Sequence, residues 1–277
     1  MATDNWWWAG AAALVVFGLA DVVKGVVGLG LPTLSMALLA LFMPAGQAAA
    51  WLLLPSLVTN VVQMRPVAEI RPVWQRLWPM QLGIVIGTWG GMLLWGAVGS
   101  APQAKLGLGL ALVVYALWGL WGRNVQLPAA HQPWLGAVCG LLTGAITAVT
   151  GVFVVPAVAF LQALNFSRTQ LMQAMGLCFT VSTLALGTGM ALQAFGLMSG
   201  GAGGLGVHRG ADGGASGDIS ALAAWGMTLL ISAVMLLPAL AGMAWGERLR
   251  ERLSPAVFKR VLMFSLLALG IYMCVSG

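Results

Sequence analysis

Long apolar runs, separated by short polar or proline-containing connections, recur from one end of the chain to the other. Eight such runs occur, at residues 9–43, 46–64, 77–98, 103–121, 134–163, 167–196, 219–244 and 256–275. A helix needs about 20 apolar residues to cross a hydrocarbon core of about 30 Å. The pattern therefore predicts an all-α polytopic membrane protein with about eight hydrophobic segments.

The first and fifth runs have lengths that a straight crossing does not explain, because each is too long for one span and too short for two. Each also contains helix breakers, in the sequences GVVGLGLP at 25–32 and TAVTGVFVVP at 147–156. Glycine loosens a helix, and proline removes a backbone donor. We expect each of these runs to form a broken helix or a re-entrant hairpin.

An internal repeat relates the two halves of the chain. A shift of 123 residues aligns Gly28 with Gly151, Gln47 with Gln170, Val58 with Val181, Thr59 with Ser182 and Asn60 with Thr183. A shift of 155 residues aligns Gly87 with Gly242, Gly91 with Gly246 and Lys105 with Arg260. The repeat predicts two homologous halves, each of which opens with a broken or re-entrant helix.

The first membrane repeat is expected at residues 1–122 and the second at 134–277, with a connecting loop at 123–133 and a flexible glycine-rich loop at 197–218. Four crossings per half would make the repeats parallel, whereas five would make them inverted. The sequence leaves both arrangements open. The distribution of lysines and arginines likewise leaves the orientation of the termini open.

Glycines at four-residue spacing form a further pattern. Gly83, Gly87 and Gly91 lie on one helical face, and Gly242 and Gly246 lie on another. Small residues at this spacing let membrane helices approach closely. We interpret these glycines as packing faces rather than as parts of a binding site.

The composition excludes most soluble functions. Of the 277 residues, 60% are hydrophobic and 7% are charged, whereas soluble domains have about 25% charged residues. The net charge of +6 is spread over short connections, which argues against a nucleic-acid partner. No Walker lysine loop, dinucleotide fingerprint, HExxH or GxSxG sequence occurs. We therefore predict no enzyme activity, no catalytic residue, no cofactor and no metal.

Two charges, Asp21 and Lys24, lie inside the first apolar run. Ionisable groups at membrane depth are costly and usually functional. Their spacing of three residues places them on one helical face, where they could simply neutralise each other. In the functional alternative, Lys24 binds a substrate anion beside the break, and Asp21 tunes that charge or exchanges a proton. In a third alternative, Lys24 extends to the membrane interface.

Uncharged polar groups near the two breaks complete the candidate site. Backbone N–H groups freed at broken helix ends attract anions, and glycine allows close approach. Hydroxyl and amide donors suit sulfonate oxygens, although such groups also bond between helices. The candidate substrate-binding residues are Lys24, Gly28, Gly30, Thr59, Asn60, Gln63, Thr147, Thr150, Gly151, Gln170, Ser182 and Thr183, with Asp21 for proton or charge coupling.

Duplicated segments that are broken and sparsely charged are typical of secondary transporters, in which the substrate binds near the membrane midplane between the repeats. Two alternatives remain open at this stage. An anion channel would need a continuous polar stripe through the membrane. A non-transporting accessory membrane subunit would need no site of its own.

The runs GVVGLGLPTLSMALLALFMPAGQAAA and GVFVVPAVAFLQALNFSRTQ resemble the TauE/SafE family of sulfite and organosulfonate exporters. The resemblance extends over nearly the whole chain. It implies a multi-pass transporter of the bacterial inner membrane that moves small sulfur-containing anions, with Lys24, Gly28 and Gly151 at the site. The expected partners are the anion, membrane lipids and a coupling ion, H⁺ or Na⁺. A homodimer is a candidate assembly.

Overall fold

The structure is a computed structural model that describes residues 6–27, 31–67, 70–96, 98, 104–122, 126–153, 156–198, 215–250, 252 and 255–276. The α-helices in these ranges are α1 (Trp6–Val27), α2 (Leu31–Leu39), α3 (Ala45–Gln63), α4 (Ile70–Trp95), α5 (Ala104–Trp121), α6 (Gln132–Thr150), α7 (Ala157–Ala163), α8 (Arg168–Ala194), α9 (Ala215–Arg250) and α10 (Pro255–Ser276). All except α2 and α7 are long and apolar enough to cross a membrane. The predicted all-α multi-pass membrane fold is confirmed.

The first apolar run is divided into α1 and α2, and the fifth into α6 and α7, as predicted. Gly151 ends α6 with a φ of 70°, a left-handed conformation that favours glycine. A Cβ at Gly151 would also lie 2.7 Å from Met36 Cε, so glycine lets α2 approach this break. Gly28 and Gly30 lie outside the described residues, as do residues 199–214 of the glycine-rich loop predicted at 197–218. The end of that prediction is wrong, because residues 215–218 begin α9.

Helices α4 and α9 extend furthest beyond the apolar runs that predicted them. Helix α4 begins at Ile70 rather than at residue 77, and α9 ends at Arg250 rather than at residue 244. The added turns carry several arginines. Long basic side chains reach the headgroup region while their backbone stays helical, so a helix can continue past the edge of its hydrophobic stretch.

Residue pairs in contact give the helix directions. Helix α1 runs parallel to α9, and α4 runs parallel to both α6 and α8. These directions follow from the contacts Gly18–Gly242, Gly25–Gly246, Gly83–Ala137, Gly91–Ala148, Gln81–Cys178 and Trp89–Ala185. Helix α3 runs antiparallel to α8 and parallel to α9. Here the contacts are Leu53–Gly187 and Met64–Gly176 for α8, and Leu54–Ser232 with the shared cavity of Gln63 and Glu247 for α9.

Because α1 and α3 run in the same direction, the chain must return between them, and α2 makes that return. Helix α7 does the same between α6 and α8. The two helices have 9 and 7 residues, or about 14 and 10 Å at 1.5 Å per residue. Both are too short to cross about 30 Å of hydrocarbon. The pairs α1–α2 and α6–α7 are therefore re-entrant hairpins.

Under the predicted division into repeats, α1–α5 correspond to α6–α10. The pairs α1/α6, α3/α8, α4/α9 and α5/α10 each run in opposite directions, which favours the inverted arrangement over the parallel one. The residue positions at which the helices touch also agree with this correspondence. The two sequence shifts convert the Gly87–Leu141 contact into the Gly242–Gly18 contact, which is present. The residue limits of the repeats stay a prediction.

The helix directions place the connections α3–α4, α5–α6, α7–α8 and α9–α10 on one side, which we call the basic face. Nine of the 11 described lysines and arginines lie in or beside these connections: Arg65, Arg71, Arg76, Arg168, Arg248, Arg250, Arg252, Lys259 and Arg260. Of the other two described basic residues, Lys24 lies inside the first apolar run and Lys105 lies beside a connection of the opposite face. The re-entrant hairpins thus gather basic residues that a simple eight-span arrangement would separate.

The predicted glycine packing faces are confirmed. Gly83 and Gly87 of α4 contact backbone atoms of α6, and Gly242 and Gly246 of α9 contact backbone atoms of α1. Facing glycines on α6, at Gly140 and Gly144, complete the first interface. Small residues on both helices let the backbones touch, which is how membrane helices gain packing energy without a hydrophobic driving force.

We expect Gly144→Ala to destabilise the protein by about 1–3 kcal/mol, the usual cost of overpacking a tight interface. A Cβ at Gly144 would overlap the Ile84 carbonyl oxygen and lie 2.6 Å from the Thr88 nitrogen, and backbone atoms cannot move aside. Gly90→Ala is the matched control, because no atom lies within 4 Å of its Cβ position. Thermal unfolding in detergent measures both, and equal midpoints would contradict the packing argument.

Candidate anion site

Lys24 lies near the end of α1 and is only 2% exposed. Its Nζ donates to Thr59 Oγ1 at 2.8 Å and to Asn60 Oδ1, both on α3. Thr59 donates its own proton to Pro55 O at 2.7 Å, which leaves its oxygen free to accept from Lys24. These are the hydrogen-bond partners of Lys24 among the described residues, and an ammonium group has three N–H donors. Lys24 can therefore bind a further acceptor while it stays attached to α3.

Asp21 lies one turn before Lys24 and is fully buried. Within the part of the chain that the structure describes, neither of its carboxylate oxygens has a hydrogen-bond partner. Lys24 donates to α3 and not to Asp21, although the two charges still interact at this distance, so mutual neutralisation stays an alternative. An ionised carboxylate without partners is costly in a buried place. The coupling role of Asp21 stays a prediction that this environment supports.

A cavity of about 540 Å³ extends from the basic face to Lys24, between α1, α3, α8 and α9. We call it the vestibule. Its charged and amide side chains are Lys24, Gln63, Arg65, Arg168, Glu247 and Arg250. The four basic groups outnumber the single acidic one, and Lys24 lies at the buried end. A concave surface with one sign of charge concentrates counter-ions, so the vestibule favours small anions.

At the second break, the polar groups form hydrogen bonds with nearby backbone groups of the same segment. Thr147 donates to Thr143 O at 2.7 Å and Thr150 donates to Ile146 O at 2.7 Å. The Gly151 nitrogen donates to Thr147 O at 2.8 Å, and the Val152 nitrogen donates to the Thr150 hydroxyl. We expected freed N–H groups at this break to face an anion. These particular groups are instead satisfied within the chain, because the left-handed turn at Gly151 folds them back.

The remaining candidates fall into two groups. Gln63 borders the vestibule, and Ser182 is buried with a hydroxyl that has no partner among the described residues. The antiparallel contacts of α3 and α8 place Thr59 and Ser182 at the same level. Thr183 donates to Phe179 O, and Gln170 forms a capping box with Ser167 at the start of α8. The bonds of Thr183 and Gln170 are structural.

The structure therefore brings Lys24, Thr59 and Asn60 together with Gln63 at the end of the vestibule. Sequence reasoning missed the arginines of the vestibule, Arg65, Arg168 and Arg250. They lie in three different connections, so no local motif joins them. A prediction that α2 and α7 turn back within the membrane would have found these arginines, because it places their three connections on one face.

A comparison with protein families gives a match over almost the whole chain. Residues 12–273 match the sequence model described as Sulfite exporter TauE/SafE. The chain belongs to the TauE/SafE family. Membership identifies a membrane transporter of the sulfite exporter type and agrees with the resemblance seen in the sequence. Neither a curated protein nor a solved structure matches the chain significantly.

Proposed function

We propose that the protein is a secondary transporter that exports small sulfur-containing anions, such as sulfite or organosulfonates, with Lys24 as the main partner of the anion. One observation carries the proposal: a buried ammonium group with a donor to spare lies at the end of a positively charged vestibule. A sulfite or sulfonate group presents three acceptor oxygens. Charge-assisted hydrogen bonds to such oxygens are among the stronger ones in proteins.

The end of the vestibule favours a transporter over a channel. Thr59, Asn60 and Ser182 are each 0% exposed, so in the described part of the chain the polar route stops at their level. A channel conducts through a continuous route, whereas a transporter exposes its site to one side at a time. The cost of a buried charge also argues against an accessory subunit without a site. No catalytic role is proposed for any residue.

The basic face supports an orientation. Short cytoplasmic connections of membrane proteins carry an excess of lysine and arginine, and the basic face holds nine of the 11 described basic residues. We therefore place this face in the cytoplasm of a bacterial inner-membrane protein, with the start of α1 and the end of α10 on the outer side. The vestibule then opens to the cytoplasm, where an exporter must collect its substrate.

The proposal is tested by reconstituting the purified protein in liposomes loaded with sulfite or methanesulfonate and measuring efflux. We expect release faster than from empty liposomes, with weaker competition from acetate and chloride. Arg168→Gln should raise the half-saturating concentration several-fold with little change in maximal rate, because this exposed vestibule arginine attracts the anion electrostatically.

Arg71→Gln is the control for this variant, since Arg71 lies on the basic face at the start of α4 but does not border the vestibule. The two arginine variants remove the same charge from the same face. Equal effects would mean that surface potential, and not the vestibule, attracts the anion. Failure of every anion to be released would contradict the proposed function itself.

A further inference from the structure

The two faces of the protein are not equivalent, although the predicted repeat relates them. Applying the sequence shifts to the vestibule gives each of its residues a counterpart toward the opposite face. Lys24 corresponds to Thr147, Arg65 to Thr188, and Gln63 to Leu186. Arg168 corresponds to Ala45, Glu247 to Met92, and Arg250 to Trp95. Every charge of the vestibule is thus replaced by an uncharged residue on the other side.

The counterpart region is closed where the vestibule is open. Met92 on α4 is 0% exposed, whereas its counterpart Glu247 is exposed. Gly189 on α8 is buried, and a Cβ there would overlap Met92 Sδ. The counterpart of Gly189, Pro66, is exposed and borders the vestibule. Met92 therefore fills the space that corresponds to the mouth of the vestibule.

Two hydrogen bonds reinforce this closure. Trp89 Nε1 donates to Ala185 O at 3.0 Å, and Gln193 Nε2 donates to Met92 O at 3.2 Å. Both link α4 to α8 through one backbone carbonyl each, and both would break if the helices separated here. Thr88, one turn from Met92, is buried with a hydroxyl that has no partner among the described residues. An unpaired buried polar group of this kind needs an explanation, and water that reaches Thr88 in an open state would supply one.

We propose that α4 and α8 separate at Met92 and Gly189 to form an uncharged exit vestibule, through which the anion held by Lys24 is released on the face opposite the arginines. This inference rests on the proposed transport function. Alternating exposure of one site by movement of one repeat against the other is the general mechanism of transporters built from inverted repeats. The difference in charge makes capture stronger on the basic face and release easier on the other.

The proposal is tested by Met92→Cys, labelled with a membrane-impermeant maleimide in spheroplasts and in inside-out vesicles, with and without methanesulfonate, which does not react with maleimides. We expect slow labelling without methanesulfonate and labelling several-fold faster with it, only from the face opposite the basic face. Glu247→Cys, the counterpart, should react only from the basic face. The wild-type protein, with free Cys139, Cys178 and Cys274, gives the background rate.

Thr88→Cys is a second and more conservative probe in case Met92→Cys does not fold, and the same pattern is expected for it. Methanesulfonate efflux is measured on the same preparations. Transport with no methanesulfonate-dependent labelling at either position would overturn the exit vestibule and leave the proposed function standing. Labelling of both positions from the basic face would also overturn it. Absence of transport in the wild-type protein would instead refute the proposed function.

Discussion

Lys24→Met is expected to lower anion efflux by on the order of 100-fold at limiting anion, the loss expected for a charge-assisted hydrogen bond of about 3 kcal/mol. Methionine keeps the length and the apolar stem of lysine, so the packing of α1 against α9 is preserved. It removes the charge at the end of the vestibule and the ammonium donors to the anion. Initial efflux rates from proteoliposomes measure the effect.

The same substitution tests whether Lys24 is only structural. It leaves Asn60 Oδ1 without its donor, which costs about 1–3 kcal/mol when the acceptor is buried. We therefore expect a lower unfolding temperature but a folded, monodisperse protein. Lys105→Met is the control, because Lys105 bonds to Ser276 O at an exposed position. Normal efflux from folded Lys24→Met would remove Lys24 from the site.

Hydrophobic run length and two interruptions were enough to predict much of this fold. Eight helices that can span a membrane, and breaks in the first and fifth runs, follow from residue pattern alone. Lys24, Thr59 and Asn60 were all candidate site residues from the sequence, but the contact between Lys24 and the pair Thr59–Asn60 comes from the structure. The repeat shift pointed to that pair independently.

The direction of α2 and α7 could not be predicted, because the sequence of a short apolar helix is the same whether it continues across the membrane or turns back. That choice decides which connections share a face. For this reason, the arginine-lined vestibule and the basic face could be recognised only from the structure. The roles of Thr147 and Thr150 were unpredictable for a similar reason, since a hydroxyl beside a break suits a ligand and a backbone carbonyl equally well.

Asp21→Asn is expected to abolish the pH dependence of anion binding. Before an anion binds, the nearby charge of Lys24 partly offsets that of Asp21. An anion at Lys24 cancels this offset, so the buried and unpartnered carboxylate should take up a proton as the anion binds. Binding that takes up one proton weakens by about tenfold for each unit of rising pH. Asparagine has nearly the same shape but cannot titrate.

Methanesulfonate is the ligand of choice for this measurement, because a sulfonate stays ionised across the accessible pH range and any slope then belongs to the protein. Its affinity is measured by calorimetry in detergent at several pH values. Glu247→Gln is the control, since Glu247 is an exposed carboxylate of the same vestibule. If the slope persists in Asp21→Asn and disappears in Glu247→Gln, proton coupling belongs to the vestibule mouth. If neither variant changes the pH slope, then neither Asp21 nor Glu247 takes up a proton when the anion binds.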